Sequence, residues 1–411
     1  MDPVIIDRLG HQGDGIAPGP LFAPLTLPGE AVTGTVSGDR LTDVRIVTPS
    51  PDRVAAPCRH YRACGGCSLQ HASDAFVANW KVEVVRRALL AQHIEAEFLP
   101  IETSPAASRR RAALSVRRTK KGALAGFHAR ASDVIADVPD CQLLDPGLMP
   151  ALKVAEELAI AGGSRKGELS VLATISETGL DLAVTGGKPL SGAEEGRLRI
   201  DLARVAEERG LSRLAWDDEV VALRLSPTQR FDGIAVVPPP GAFLQATPQG
   251  EAALLAAVKR IVGKAGRVVD LFAGCGTFGL PLARGAEVHG VEGAAAMTRA
   301  MDHGWRHATG LKKVTGETRD LFRNPLIVED LKGFDAAVID PPRAGAEAQV
   351  AELAAARVPV IAHVSCNPVT FAREARELLA VGYEMGPVQV VDQFRWSPHV
   401  ELVAGFSLNS A

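Results

Sequence analysis

From about residue 248 onward the chain alternates helix with strand, and that alternation leaves few folds open. A helical stretch at 248–262 leads into an apolar strand, RVVDLFAG. A second helix, strand EVHGVE, a helix, strand FDAAVID, a helix and strand VPVIAHVS follow. Strands separated in this way by helices predict a parallel, doubly wound α/β sheet, because the crossovers bury both faces of the sheet.

The first strand runs into VVDLFAGCGTFG, where Gly274, Gly276 and Gly279 match G-x-G-x-x-G. Glycines let the backbone approach a ligand closely, and the following helix presents free N–H groups. The pattern alone fits a nucleotide-type cofactor, NAD included, or an ordinary tight turn. Asp270 closes the strand, where its carboxylate can neutralise a positively charged ligand. Glu292 ends the next strand, where a carboxylate can accept from two ribose hydroxyls. Asp320 follows the third segment as an adenine contact or a solvated loop acid.

Upstream the pattern differs. VIIDRL, LFAPLT, AVTGTVSG and DVRIVTPS, broken by HQGDG, LPGE and SGDR, read as the short strands of a small barrel over residues 1–53. A cysteine-rich loop, PCRHYRACGGCSLQH, precedes a helix at about 74–93. Residues 100–240 read as an irregular α+β region, with strands LSVRR, LAGFHA and DVIADV, a helix at 146–162 and a hairpin around Thr178. The Pro-rich VVPPPGAF closes it. Three domains are expected, at 1–53, 54–240 and 241–411.

The net charge of −3 argues against a nucleic-acid binder, but its distribution argues for one. Arg53 to Arg130 holds 14 Lys and Arg against five acids. Arg109, Arg110, Arg111, Arg117, Arg118, Lys120 and Lys121 fall in one run without an acid. Such a run suits phosphates or a solvated hairpin face. No run approaches the roughly 18 apolar residues of a membrane span, and the start shows no secretory signal. A cytoplasmic monomer is the default.

Two motifs carry chemistry. DPPR (Asp340 to Arg343) and SCNP (Ser365 to Pro368) each follow a strand, at the carboxyl edge where open α/β sheets bind ligands. Paired prolines stiffen the first loop, and Asp340 can accept from the ring N–H of a base. A cysteine in a polar turn before a helix start, such as Cys366, sits where a thiolate is favoured. Near the C-terminus, RWSPHVELVAGF places Glu401 at the start of a strand, as a base or as a surface acid. A thiolate, a base and a ring contact suit substitution at carbon 5 of uracil. The thiolate adds to carbon 6, making carbon 5 nucleophilic.

At this point the sequence resembles the iron–sulfur RNA uracil-5-methyltransferase family over nearly its whole length. CGGCSLQH, SRRRAALSVRR, GFHARAS, GAFLQ, DLFAGCGTFGLPLA, VEG, DPPRAG, SCNP and HVELV occur in family order. The first 53 residues resemble the TRAM domain, an OB-like RNA-binding barrel. The resemblance implies a class I methyltransferase fold and S-adenosylmethionine as cofactor. It implies Cys366 as nucleophile, Glu401 as base and Asp340 as a catalytic contact. It further implies cofactor contacts at Gln245, Phe272, Thr277, Glu292, Asp320 and Asp340. It also implies a 4Fe–4S cluster on Cys58, Cys64, Cys67 and Cys141. By sequence alone those four cysteines equally suit zinc. Thr247 and Thr277 stand where the family usually has Asn. The expected substrate is a flipped or unpaired uridine in RNA, large-subunit ribosomal rather than transfer. The competing readings are a base-amine methyltransferase and a non-catalytic iron–sulfur RNA-binding protein.

Overall fold

The computed structural model describes residues 2–192 and 195–408, which form three main sheets. The first is six-stranded and built from Val4–Thr48. Its inner face buries Ile6, Ala17, Ala23, Val32 and Leu41. The second is seven-stranded and runs from Arg111–Arg118 to Glu219–Leu223. Helices Pro150–Gly162 and Glu195–Glu208 bury Val154, Leu158, Leu202 and Val205 against it. Pro150 divides the expected helix at 146–162 into a short 3₁₀ turn, Pro146–Leu148, and the α-helix.

The third sheet has nine strands. Val314–Thr318, Glu287–Glu292, Arg267–Leu271, Ala336–Ile339 and Val360–Ser365 lie side by side in parallel. Glu401–Leu408 then joins antiparallel, followed by Gln389–Asp392. Helices cover both faces, and each face has its own core. One centres on Leu271, Ile339, Phe371 and Phe406, the other on Leu254, Val258, Val338 and Val364.

The expected unit at 54–240 is not self-contained. Helix Asp74–Leu90 packs on helix Pro368–Ala380, and its Val85 and Leu89 enter the core of the third sheet. Strand Glu102–Thr103 pairs in parallel with Val391–Asp392 at that sheet's edge. The helix also stops at Leu90 rather than 93, where His93 turns into the left-handed region at φ 61°. Amphipathic spacing marked it as a helix but could not say which sheet its apolar face would meet.

Register brings the motifs together. Leu271 pairs with Ile339, Ile339 with His363, Ser365 with Leu402 and Val391 with Glu401. The next residues along the parallel strands are Phe272, Asp340 and Cys366. They share one edge of the sheet with Glu401 and Gln393. Among the described residues no helix is long and apolar enough to cross a membrane.

Candidate active site

Cys366 lies half-buried in the turn between strand Val360–Ser365 and helix Pro368–Ala380. Asn367 caps that helix, its side-chain oxygen accepting from Val369 N at 3.1 Å. Pro368 follows at the first helical position, where its missing N–H costs nothing. Ser365 Oγ accepts from Asn367 N at 3.1 Å, closing the turn around the thiol. Burial, followed by the carboxylates of Glu401 and Asp340, pushes the Cys366 thiol up to about 12. Burial and these carboxylates thus favour the thiol, where the turn alone suggested a thiolate.

Glu401 is 4% exposed, which rules out a solvated surface acid. Burial and then the neighbouring Asp340 hold its carboxyl well above the usual range. Burial raises Asp340 to about 7. Asp340 accepts from Gln245 Nε2 at 3.3 Å. Gln245 Oε1 in turn accepts from Gln393 Nε2, and Gln393 Oε1 accepts from Ala246 N at 2.7 Å. Two glutamines thus link the DPPR loop to the segment that leads into Glu401. Gln393 carries no sequence signal, because an isolated Gln between a strand and a turn belongs to no spacing pattern.

The glycine turn lies beside them. Phe272 takes φ 61°, and Gly274 and Gly276 take φ 57° and 90°. Glu292 braces the turn, Oε2 accepting from Gly274 N at 3.0 Å and Oε1 from Ala294 N at 2.9 Å. Each oxygen retains a free lone pair. Thr277 sits half-buried in the same turn. Asp320 is exposed and caps its own loop, accepting from Phe322 N at 3.0 Å and Arg323 N at 3.3 Å. Phe322 reaches Phe272, with ring centroids 5.4 Å apart.

Two expectations change here. Asp270 does not face an open ligand site. It is fully buried under the turn, and one oxygen accepts from Gly279 N at 2.8 Å. Its other oxygen has no partner, and burial raises the group to about 8. Thr247 is the N-cap of helix Pro248–Val262, accepting from Gly250 N at 3.0 Å and bonding Ser104 Oγ at 2.7 Å. The departure from Asn there therefore falls on a capping residue.

The basic run is a third correction. Arg110 is buried against Glu251 at 2.5 Å and donates to Gln245 O at 3.1 Å. Arg111 donates to Leu244 O at 2.9 Å and lies over the Phe243 ring at 5.1 Å. Arg109 lies over Phe394 at 5.8 Å. Arg117 pairs with Glu168, and Arg118 donates to Gly163 O. Arg110 and Arg111 brace the backbone that presents Gln245. Lys120 and Lys121, at the hairpin tip, remain exposed.

Cys58, Cys64, Cys67 and Cys141 are free thiols lining one cavity of about 410 Å³, together with Arg109, Phe127 and His399. Among the described residues no group of three or more His, Cys, Asp or Glu side chains is placed to hold a metal ion. Cys275 is buried within the glycine turn.

A family model described as tRNA (uracil-5-)-methyltransferase matches residues 307–409. An uncharacterized RNA methyltransferase of Rhizobium meliloti is 46% identical over 410 residues, 98% of each chain. The 23S rRNA (uracil(1939)-C(5))-methyltransferase RlmD of Halomonas elongata is 34% identical, covering 97% of this chain and 88% of that one. The chain belongs to the RNA (uracil-5-)-methyltransferase family. The matched segment holds Asp340, Cys366 and Glu401 of this RNA (uracil-5-)-methyltransferase. Its fold is shared with the Pyrococcus abyssi tRNA (uracil-54, C5)-methyltransferase, solved with S-adenosyl-L-homocysteine. That similarity has a TM-score of 0.73 at 23% identity and covers 98% of this chain and 99% of the other.

Proposed function

We propose that this protein transfers a methyl group from S-adenosylmethionine to carbon 5 of a uridine in 23S rRNA, through a covalent bond between Cys366 and carbon 6. The observation that carries the reading is the convergence of Cys366, Asp340 and the buried Glu401 on one edge of the sheet.

The residues fit a cationic cofactor. Asp340 and Glu401, both raised by burial, repel one another, and Glu292 stands beside the glycine turn. A positive charge among them relieves that repulsion and lowers the thiol as well. S-adenosylmethionine supplies a methyl group on a positively charged sulfur. Phe272, Thr277, Glu292 and Gln245 would hold it, with Phe322 beside Phe272 and Asp320 shaping the adjoining loop.

The chain's own residues do the rest. Cys366 gives its proton to solvent, the resulting thiolate bonds carbon 6, and the ring's π electrons move to the oxygen on carbon 4. Asp340, kept near neutrality by its surroundings, hydrogen-bonds the ring edge. Carbon 5 takes the methyl group. Glu401 then removes the proton from carbon 5, the ring double bond re-forms, and the Cys366 thiolate leaves. Glu401 must be ionised at that moment, although burial favours its acid form.

The ribosomal assignment follows the Halomonas relative, whose identity extends over nearly the whole chain. The N-terminal six-stranded sheet serves as a TRAM-like RNA contact, and Lys120 and Lys121 extend the phosphate-binding surface. The four cysteines fit a 4Fe–4S cluster because they line one cavity as free thiols. A cluster is several atoms wide and holds its thiolates farther apart than one ion does. It would tie Cys141 to the Cys58–Cys67 loop as a structural element.

Release of tritium from RNA labelled at uracil carbon 5 tests the reading. Wild type with S-adenosylmethionine and unmodified 23S rRNA releases tritium, and Cys366→Ala does not. Cofactor-dependent methylation without tritium release would place the methyl group elsewhere.

A further inference from the structure

The cysteine cavity and the base Glu401 are joined by one short segment, and its conformation is strained. Trp396 takes φ 59°, a left-handed conformation that strains a bulky side chain. Its carbonyl accepts two backbone donors, Ser68 N at 2.7 Å and Leu69 N at 3.0 Å, directly after Cys67. Its ring is buried with Tyr61, Cys67 and Leu143. The Arg395 guanidinium lies 5.0 Å over that ring and donates to Asp74. Ser397, Pro398 and His399 form part of the wall of the four-cysteine cavity. Val400 is buried next, and Glu401 follows at the start of its strand.

The other end of the segment is fixed separately. Asp392 takes the ammonium of the fully buried Lys81, which also donates to Phe394 O at 3.1 Å. Gln393 holds Gln245. Between these anchors the turn is closed by Ser397 N donating to Phe394 O at 2.9 Å. The Cys366 turn has different moorings, on Asn367 and the DPPR loop.

We propose that Asp392–Glu401 is a strap through which the cysteine loop sets the position of Glu401, with Trp396 as its positioning residue. The strain at Trp396 is held only because the Ser68 and Leu69 donors and the buried ring over-determine it. Loosening that hold displaces Glu401 and leaves Cys366 in place. The reaction then proceeds through bonding at carbon 6 and methylation of carbon 5. It slows at removal of the carbon 5 proton, so the Cys366–RNA adduct accumulates. This inference rests on the proposed function, in which Glu401 is the base.

The test is a denaturing gel that resolves free protein from protein–RNA adduct, with S-adenosylmethionine and 23S rRNA. Trp396→Gly accepts the left-handed conformation without strain and deletes the ring. It is expected to raise the trapped fraction roughly tenfold over wild type while turnover falls. Glu401→Gln, run alongside, traps adduct, and Trp396→Phe restores turnover. Where Trp396→Gly does not fold, Ser68→Pro deletes the shorter N–H donor, keeps the ring, and reads the same way. Folded variants that lose adduct and turnover in proportion would overturn the strap. No adduct with Glu401→Gln would instead overturn the role of Glu401 itself.

Discussion

The side-chain amide of Asn367 donates to the backbone carbonyl of Arg343 at 2.9 Å, joining the loop that bears the thiol to the loop that bears Asp340. The same side chain caps helix Pro368–Ala380 through its oxygen. Glu374, one of that helix's buried residues, accepts from Ala346 N at 2.6 Å just beyond the DPPR loop. Cys366 and Asp340 are therefore held as one unit by the first turns of a single helix.

Asn367→Asp separates the two jobs of that side chain. The carboxylate still caps the helix, so the melting temperature stays near wild type. The donor to Arg343 is gone, and turnover is expected to fall at least about tenfold, as expected when reacting groups lose their relative placement. Thermal melts beside steady-state kinetics check this. Equal losses in stability and turnover would mean that the link is only structural.

The raised Cys366 thiol gives a second prediction. Burial is its first cause, with Glu401 and Asp340 next. Alkylation of the Cys366 peptide by iodoacetamide, followed by mass spectrometry, should be slow at pH 8 in the free protein and still rising at pH 10. Glu401→Gln removes a negative neighbour, which lowers the thiol pKa. The alkylation profile should shift to lower pH.

Asp270 predicts a pH dependence of stability. Its folded value of about 8 lies above the ordinary 3.8, with burial as the main cause. A carboxyl raised in this way gives its full stability below the ordinary value, and loses it as pH rises through the folded value. The wild-type melting temperature should therefore fall between about pH 5 and pH 8 from this group. Asp270→Asn keeps an acceptor for Gly279 N and carries no titrating proton, so its melting temperature should change less over the same range.

Arg110 predicts a packing effect in a run that looked like an RNA contact. It sits buried with Glu251, whose carboxyl is itself raised by burial. Arg110→Ala strands that carboxylate and should destabilise the fold by about 3–5 kcal/mol. Arg110→Met with Glu251→Leu should recover most of the loss. Denaturant unfolding of the wild type and the two variants measures both.

Helix–strand alternation made the parallel sheet and the edge that gathers its motifs legible, because period and glycine placement are local properties. Cys366 and Asp340 were legible for the same reason, each standing where a strand of that sheet ends. The burial of Glu401 was not, since a glutamate opening a strand looks solvated until pairing with Val391 covers it. The basic run misled because charge density does not reveal that Arg110 and Arg111 point back onto Leu244 and Gln245. The docking of helix Asp74–Leu90 on the third sheet, and the Gln393–Gln245 bridge, join positions far apart in sequence that no spacing relates.

The covalent role of Cys366 is tested most directly with 23S rRNA in which 5-fluorouridine replaces uridine. The base can remove a proton from carbon 5 but not a fluorine, so the methylated adduct cannot break down. Digestion and mass spectrometry should find a 5-fluorouridine nucleotide carrying one added methyl group on the Cys366 peptide, only when S-adenosylmethionine is present. An enzyme that methylates normal 23S rRNA at uridine carbon 5 but forms no such adduct, or forms it at another residue, would contradict the account.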